Sequence, residues 1–251
     1  MSSVLDNHIV VFAASLVAQW LAGFVGHLFR EKGRSLGDDA LQDFDTVEKA
    51  TLTLLALIIG FAFSMAVTRY DQRKTTEAAE ANAIGTEYVR ADLLPPDGAK
   101  NMRELLGKYL DQRIQFYVTR DERQLDRIGA ETARLEAQLW SAVAARAQPT
   151  PLIALSVSGM NDVLNARGYT DAAWRNRIPV GAWAMLGLIA IFANGLIGFG
   201  GHRRGALLLL VLPIIISVAF LHVADIDSPR GGFIRVVPHN LIALSQSMIA
   251  Q

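Results

Sequence analysis

Four long apolar blocks, none of which contains a charged side chain, constrain the fold of this chain more than any other feature of its sequence. The blocks cover residues 8–29, 50–67, 178–201 and 205–224. Because a helix rises about 1.5 Å per residue, about 20 apolar residues cross the ~30 Å hydrocarbon core of a bilayer. The blocks therefore predict an all-α membrane protein with four transmembrane helices per subunit. Four buried helices in the core of a soluble protein are the alternative, although such helices are usually shorter and have a polar face.

The segments between the blocks predict the domain organisation. Residues 1–68 hold the first two transmembrane helices and a short acidic outer loop, and residues 178–225 hold the other two. Between them we expect residues 69–177 to form a helical cytoplasmic bundle, and residues 226–251 a C-terminal cytoplasmic segment. Eight Lys or Arg residues flank the spans on the side of this bundle and both termini, against six on the other side, which favours the cytoplasm for the bundle.

The polar segment has the pattern of several helices. No proline occurs between residues 69 and 94, so we expect the second transmembrane helix to continue into this segment without a break. Pro95-Pro96-Asp97-Gly98 predicts a turn, and apolar side chains recur at helical spacing over residues 99–118. Residues 121–147 carry a short heptad seam, which suits packing inside a helical bundle.

Motifs for catalysis, cofactor binding and nucleic-acid binding are missing from the sequence. It contains no Gly-x-Ser-x-Gly nucleophile elbow, no His-Glu-x-x-His zinc motif and no cysteine. The 24 Lys and Arg residues balance the 24 Asp and Glu residues, so no excess of positive charge indicates a nucleic-acid partner. We therefore expect neither enzymatic activity nor a bound cofactor.

Asp225 and Asp227, in the stretch HVADIDSPRGG, are the best candidates for a metal site. Two carboxylates are few for a hard divalent cation, which takes about six or more oxygen ligands. The alternative is structural: Asp225 caps the end of the fourth transmembrane helix, and the Pro-Arg-Gly-Gly that follows reverses the chain.

A stripe of mixed character runs along one face of the second transmembrane helix. Its members recur at steps of three and four residues and are Thr53, Leu57, Gly60, Phe61, Ser64 and Thr68. One interpretation is a helix–helix contact, because Gly60 and Ser64 form a small-xxx-small pair that lets two backbones approach closely. The other is a pore, in which several copies of the stripe face one axis and Leu57 and Phe61 form a hydrophobic constriction that gates by dewetting. Ser64 and Thr68 would then line a wet vestibule below it.

The loop before this helix is acidic. Its carboxylates include Asp38, Asp39, Asp43 and Asp45. They form either a solvated loop or a negatively charged pore mouth that concentrates cations.

Several motifs of the chain resemble known families. GFAFSMAVTRY, residues 60–70, resembles the second-helix signature of bestrophins. Through RYDQRK, EANAIGTEYVRADLLP and DIDSPRGGFIRV, the chain as a whole resembles the bacterial bestrophin-like domain family. Bestrophins are pentameric ion channels with four membrane helices per subunit and helical cytosolic regions.

The resemblance implies a homo-oligomer, a pentamer as in bestrophins, in the bacterial inner membrane, with the lipid bilayer and a permeating ion as its partners. Carried over onto this sequence, the hydrophobic neck of bestrophins becomes Thr53, Leu57 and Phe61. The sequence departs from the bestrophin pattern in two places. The neck begins with a polar residue, and the acidic run that clasps calcium in the animal proteins is reduced to Asp225 and Asp227. Chloride is the ion that the family suggests, and monovalent cations are the alternative because of the acidic loop.

We therefore expect a homo-oligomeric, passive ion channel whose pore is lined by the second transmembrane helix. The alternative function is a membrane-anchored scaffold or sensor, in which the helix at residues 121–147 docks a partner. The two functions differ at Phe61, which narrows the pore in the channel and only packs against a neighbour in the scaffold.

Overall fold

A computed structural model describes residues 7–33, 38–144, 151–200 and 205–250, and all of their side chains except those of residues 30–33, 38–41, 152 and 205–208. In these ranges the chain forms eight α-helices, with a single 3-10 turn, Ala91–Leu93, between the second and the third. They are α1 (His8–Gly33), α2 (Asp38–Arg90), α3 (Pro96–Val118), α4 (Glu122–Ala144), α5 (Pro151–Arg175), α6 (Val180–Gly200), α7 (Gly205–Asp227) and α8 (His239–Ile249).

Four stretches of the described chain, in α1, in α2, in α5 with α6, and in α7, are long and apolar enough to cross a membrane. Only 17–44% of the residues in each apolar window are buried, so the apolar side chains face outward. Helices in the core of a soluble protein would be buried on most sides, which excludes the soluble alternative. The prediction of an all-α protein with four membrane-spanning helices is confirmed.

Helix α2 is much longer than a bilayer is thick. Its 53 residues correspond to about 80 Å at ~1.5 Å per residue, against a hydrocarbon core of ~30 Å. The membrane-spanning section of α2 is therefore the uncharged stretch 50–67, and the residues after Arg69 lie outside it. The absence of proline before Pro95 explains why the helix continues without a break, as predicted.

The acidic segment before the second span is not a loop. Helix α2 begins at Asp38, so Asp43 and Asp45 lie on a helix, and the prediction of a loop at these positions is wrong. Carboxylates favour the first turns of a helix because they lie close to the positive end of the helix dipole. The run of charged residues is therefore compatible with a helical start as well as with a loop.

The chain divides into two compact units, and the first comprises residues 1–69 and 177–235. In it α1 packs against α6 and α7. Glycines allow α1 and α6 to approach closely: a Cβ atom on Gly26 would overlap the carbonyl of Gly195, and one on Gly198 would overlap the carbonyl of Gly23. Small residues at such crossings let helix backbones touch within a membrane.

Substitution of these glycines is expected to separate α1 from α6. Gly198→Ala places a methyl group where the Gly23 carbonyl lies, and overpacking of this kind costs about 1–3 kcal/mol or more. Gly60→Ala is the matched control, because nothing lies within 4 Å of the Cβ position at Gly60. Thermal unfolding of the purified protein should show a lower midpoint for Gly198→Ala only. Equal stability of the two variants would show that α1 and α6 tolerate a wider spacing.

Polar side chains are also buried inside the first unit, between α1, α6 and α7. The Gln19 amide donates to Ser15 Oγ at 2.7 Å and to Ser217 Oγ at 3.2 Å, and the Asn194 amide donates to Gln19 Oε1 at 2.9 Å. Gln19, Asn194 and Ser217 are almost completely buried. These bonds link three membrane-spanning helices and satisfy polar groups that lipid could not.

The second unit comprises residues 70–176 and 236–251 and has a helical core. Four members of the predicted α4 seam, Ile128, Thr132, Leu135 and Leu139, are buried in that core together with Val143, while Leu125 and Ala142 are half-buried. The seam packs inside the bundle, so the apolar face of α4 is not free to dock a partner. A scaffold would have to use the exposed face of α4, and that alternative stays a prediction.

Candidate functional site

The stripe on the membrane-spanning section of α2 faces away from the rest of its own subunit. Thr53, Leu57, Phe61, Ser64 and Thr68 are all exposed, Leu57 by 53% and Phe61 by 60%. The Cβ position of Gly60 is open as well, so no helix in the described part of the subunit packs on this glycine. The structure therefore places all five predicted pore residues on one exposed helix face.

The opposite side of the same helix is buried. Leu55 and Ala62 are 2% exposed and Ala66 is fully buried. At about 100° per residue these three side chains lie within one narrow sector, on the other side of the helix from Thr53, Ser64 and Thr68. Helix α2 is thus anchored to its subunit by an apolar face, and its mixed face is left without a partner in the single subunit.

The threonine hydroxyls of the stripe are bonded to their own helix. Thr53 Oγ1 donates to the Lys49 carbonyl at 2.8 Å, and Thr68 Oγ1 donates to the Ser64 carbonyl at 2.9 Å. A hydroxyl has one proton to donate and lone pairs that accept. Because the proton is used, each of these hydroxyls offers only lone pairs to whatever lies in front of the helix.

The acidic residues before the span are partly neutralised. Lys49 Nζ lies 2.6 Å from Asp45 Oδ2, one helical turn away, while Asp43 is exposed. Asp38 and Asp39 belong to the first turn of α2, but their side chains lie outside the described part of the structure. A negatively charged mouth at these residues stays a prediction.

Asp225 and Asp227 are buried, and their carboxylates accept bonds from different backbone amides. Asp225 accepts from the amides of Phe233 and Ile234 at 2.7 and 3.0 Å, while Asp227 accepts from the amide of Ile178 at 3.1 Å. This geometry favours the structural role, in which Asp225 holds the turn after α7. Among the described residues no three His, Asp or Glu side chains are grouped as metal ligands. A cation at the pair stays a prediction.

His8 joins this arrangement although it is distant in the sequence. Its Nδ1 lies 3.6 Å from Asp225 Oδ1, and its ring packs edge-on against Phe233. The sequence does not predict this contact, because no local spacing relates residue 8 to residue 225.

Comparison with known proteins identifies the family. The family model of the bestrophin-like domain matches residues 10–241, which is most of the chain. The chain belongs to the bestrophin-like family. No relative among the curated proteins matches it.

Solved structures show where this bestrophin-like fold recurs. A bacterial bestrophin homolog from Klebsiella pneumoniae matches with a TM-score of 0.65 and 14% identity over 96% of this chain and 97% of that one. One variant of that homolog matches with a TM-score of 0.64 and 12% identity over 97% of this chain and 98% of its own. A second variant matches with a TM-score of 0.63 and 15% identity over 99% of this chain and 96% of its own. At such identities the likeness establishes the fold, which is the expected one.

This bestrophin-like chain also carries a buried charged seam that the sequence analysis missed. After the membrane-spanning section, one face of α2 holds ionisable side chains at steps of three, four and seven residues. They are Arg73, Glu77, Glu80 and Glu87, each no more than 2% exposed. The spacing is visible in the sequence, but glutamates at helical spacing are ordinarily solvent-exposed, so burial was not expected.

Three members of the seam have partners that account for their burial. Arg73 Nε donates to the Ala173 carbonyl at 3.4 Å, near the end of α5. Glu77 Oε1 accepts from the amides of Asn240 and Leu241 at 2.9 and 3.0 Å and so caps the start of α8. Glu80 accepts from the guanidinium of Arg113 on α3. The fourth member, Glu87, has no hydrogen-bond partner among the described residues.

Proposed function

We propose that this protein is a passive ion channel whose pore is lined by the stripe on the membrane-spanning section of α2. The observation that carries the proposal is the exposure of Thr53, Leu57, Phe61, Ser64 and Thr68 on one face that no described helix of the subunit covers. A face with hydroxyl groups at both ends and large apolar side chains between them suits a wet pathway with a hydrophobic constriction.

Lipid is a poorer occupant for this face than for the other exposed faces. On α1 the exposed side chains include Leu21, Phe24 and Leu28, which are wholly apolar. Hydrocarbon forms no hydrogen bonds with the hydroxyl groups on the α2 stripe, whereas water in a pore can donate hydrogen bonds to their lone pairs. We therefore assign the α1 face to lipid and the α2 stripe to the pore.

A pore requires more than one copy of the chain, because one exposed helix face encloses nothing. Several copies arranged with their α2 stripes toward one axis would bring the Leu57 and Phe61 side chains together as a neck. The membership of the bestrophin-like family supports a pentamer in this role. The bestrophin-like family supports the bacterial inner membrane as the location, and the weak charge bias of the sequence favours the cytoplasmic side for residues 69–177.

For the permeating ion, the described side chains favour monovalent cations over the chloride that the family suggests. The hydroxyl protons of Thr53 and Thr68 are bonded within the helix, so these residues present lone pairs, which attract cations. None of the five stripe residues is positively charged, and Asp43 adds an exposed carboxylate near the start of α2. An anion would meet few hydrogen-bond donors along this face.

Single-channel recording of the purified protein in a planar bilayer under a sodium chloride gradient tests this function. We expect a passive current whose reversal potential lies toward the equilibrium potential of sodium. A reversal potential toward that of chloride would retain the channel and overturn the assignment of the ion. A bilayer that stays silent with a well-folded oligomer would contradict the channel itself.

A further inference from the structure

One buried carboxylate of the second unit has no hydrogen-bond donor among the described residues. The side chain of Glu87 on α2 is completely buried, yet neither of its oxygens accepts a hydrogen bond from a described residue. The other buried glutamates of the same face are well supplied: Glu77 binds two backbone amides, and Glu80 binds Arg113 and two hydroxyl groups. Burial of a charged carboxylate without hydrogen-bond donors costs free energy. Glu87 bears this cost, whereas the hydrogen-bonded Glu77 and Glu80 do not.

The surroundings of Glu87 hold it tightly against α5. A Cβ atom on Gly159 of α5 would overlap both the Glu87 carboxylate and the end of the Arg90 side chain. Ser156, one turn earlier on the buried side of α5, is fully buried, and its hydroxyl likewise has no partner among the described residues. Glycine is thus the residue that lets α5 approach this carboxyl group.

Among the described residues, two ionisable groups act on Glu87. Arg90, one turn further along α2, lies 4.0 Å away at its Nη1 and favours the charged form. Asp162, on α5, is negative and opposes it. Burial, to which Asp162 adds, outweighs the effect of Arg90 and raises the pKa of Glu87 from its ordinary value of 4.5 to about 7.

We propose that Glu87 is a proton-binding site whose protonation state is coupled to the packing of α2 against α5. While the two helices are packed at Gly159, the carboxyl group holds a proton. When the proton leaves to water, the carboxylate drives the helices apart at this point, because separation gives it water as a hydrogen-bond donor. If the channel assignment above is right, this site makes the current depend on pH near neutrality.

The direction of the effect on stability follows from the two pKa values. The folded protein binds the proton more tightly than the unfolded chain, so the stability due to this group is complete below pH 4.5 and is lost as the pH rises to about 7. Glu87→Gln keeps the shape and neutrality of the protonated side chain and cannot lose a proton. We expect the unfolding temperature of Glu87→Gln to match wild type in acid and to exceed it above neutral pH.

Two measurements on the full-length protein test the proposal without recording a current. The infrared difference spectrum between acid and alkaline buffer should contain a carboxylic-acid band that disappears near pH 7 in wild type and is absent in Glu87→Gln. Glu104→Gln, at an exposed glutamate of α3, is the matched control and should keep the band. A spectrum in which wild type and Glu87→Gln are identical would overturn the proposal.

The second measurement follows the separation of the helices. The chain has no cysteine, so Ser156→Cys introduces a single reporter thiol on the buried face of α5. The rate at which this thiol is labelled should rise more steeply with pH when residue 87 is Glu than when it is Gln. The Glu87→Gln background shows the pH dependence of the thiol alone. Equal slopes in the two backgrounds would overturn the link between the proton and the packing.

A recording of the channel current distinguishes the proton site from the proposed channel function, on which the pH dependence of the current rests. Wild-type current that changes between pH 6 and pH 8, with a smaller change in Glu87→Gln, would extend the proton site to the channel. A current with equal pH dependence in both proteins would remove that last step. A silent protein that still shows the infrared band would contradict the channel and leave the proton site supported.

Discussion

Phe61→Ala is expected to raise the single-channel current several-fold while leaving the stability of the subunit almost unchanged. In the proposed assembly the Phe61 side chains narrow the neck, and removal of the rings widens it and makes it easier to wet. A buried Phe→Ala substitution costs about 3–5 kcal/mol, but Phe61 is 60% exposed in the subunit, so truncation leaves no cavity inside it. Paired recordings and thermal unfolding curves of both proteins measure the two effects.

Phe63→Ala is the matched control for this experiment. Phe63 is on the same helix, is 45% exposed and lies two residues from Phe61, but it points to another side of the helix, off the stripe. We expect its truncation to leave the unitary current unchanged. A larger current in Phe63→Ala and not in Phe61→Ala would mean that a different face of α2 lines the pore.

Arg113→Ala is expected to destabilise the second unit by about 3–5 kcal/mol, the usual cost of removing one partner from a buried ion pair. Arg113 on α3 is 2% exposed and donates to Glu80 on α2, whose carboxylate is fully buried. Without the guanidinium, the hydrogen-bond donors left to Glu80 among the described residues are the hydroxyls of Tyr117 and Thr170, at 3.3 and 3.1 Å. Burial and the nearby negative charge of Glu80 raise the pKa of Tyr117, so this hydroxyl is a neutral donor.

Thermal unfolding checks this prediction, and two further variants make it specific. Arg134→Ala removes an exposed pair with Glu131 on α4 and should not change the unfolding midpoint measurably. Glu80→Gln combined with Arg113→Met should recover much of the loss, because no unpaired charge then remains buried. If Arg113→Ala unfolds at the same temperature as Arg134→Ala, water reaches Glu80 in the folded protein and the pair is not a buried one.

The sequence by itself determined the elements that depend on local composition. Four uncharged blocks of about 20 residues favour membrane-spanning helices over buried core helices, and the absence of proline before Pro95 makes α2 continuous. The periodicity of α4 predicted its buried seam, and that of α2 predicted that Thr53 to Thr68 share one face. In each case residues a few positions apart carry the whole signal.

Features that depend on residues distant in the chain are visible only in the tertiary structure. The stripe of α2 is exposed because other helices cover Leu55, Ala62 and Ala66, and no periodicity reveals which face is covered. Likewise the charged seam from Arg73 to Glu87 has the spacing of a solvated helix face, and only the partners that α3, α5 and α8 supply make it buried. A helix pattern identifies its faces, but which face is buried is a property of its neighbours.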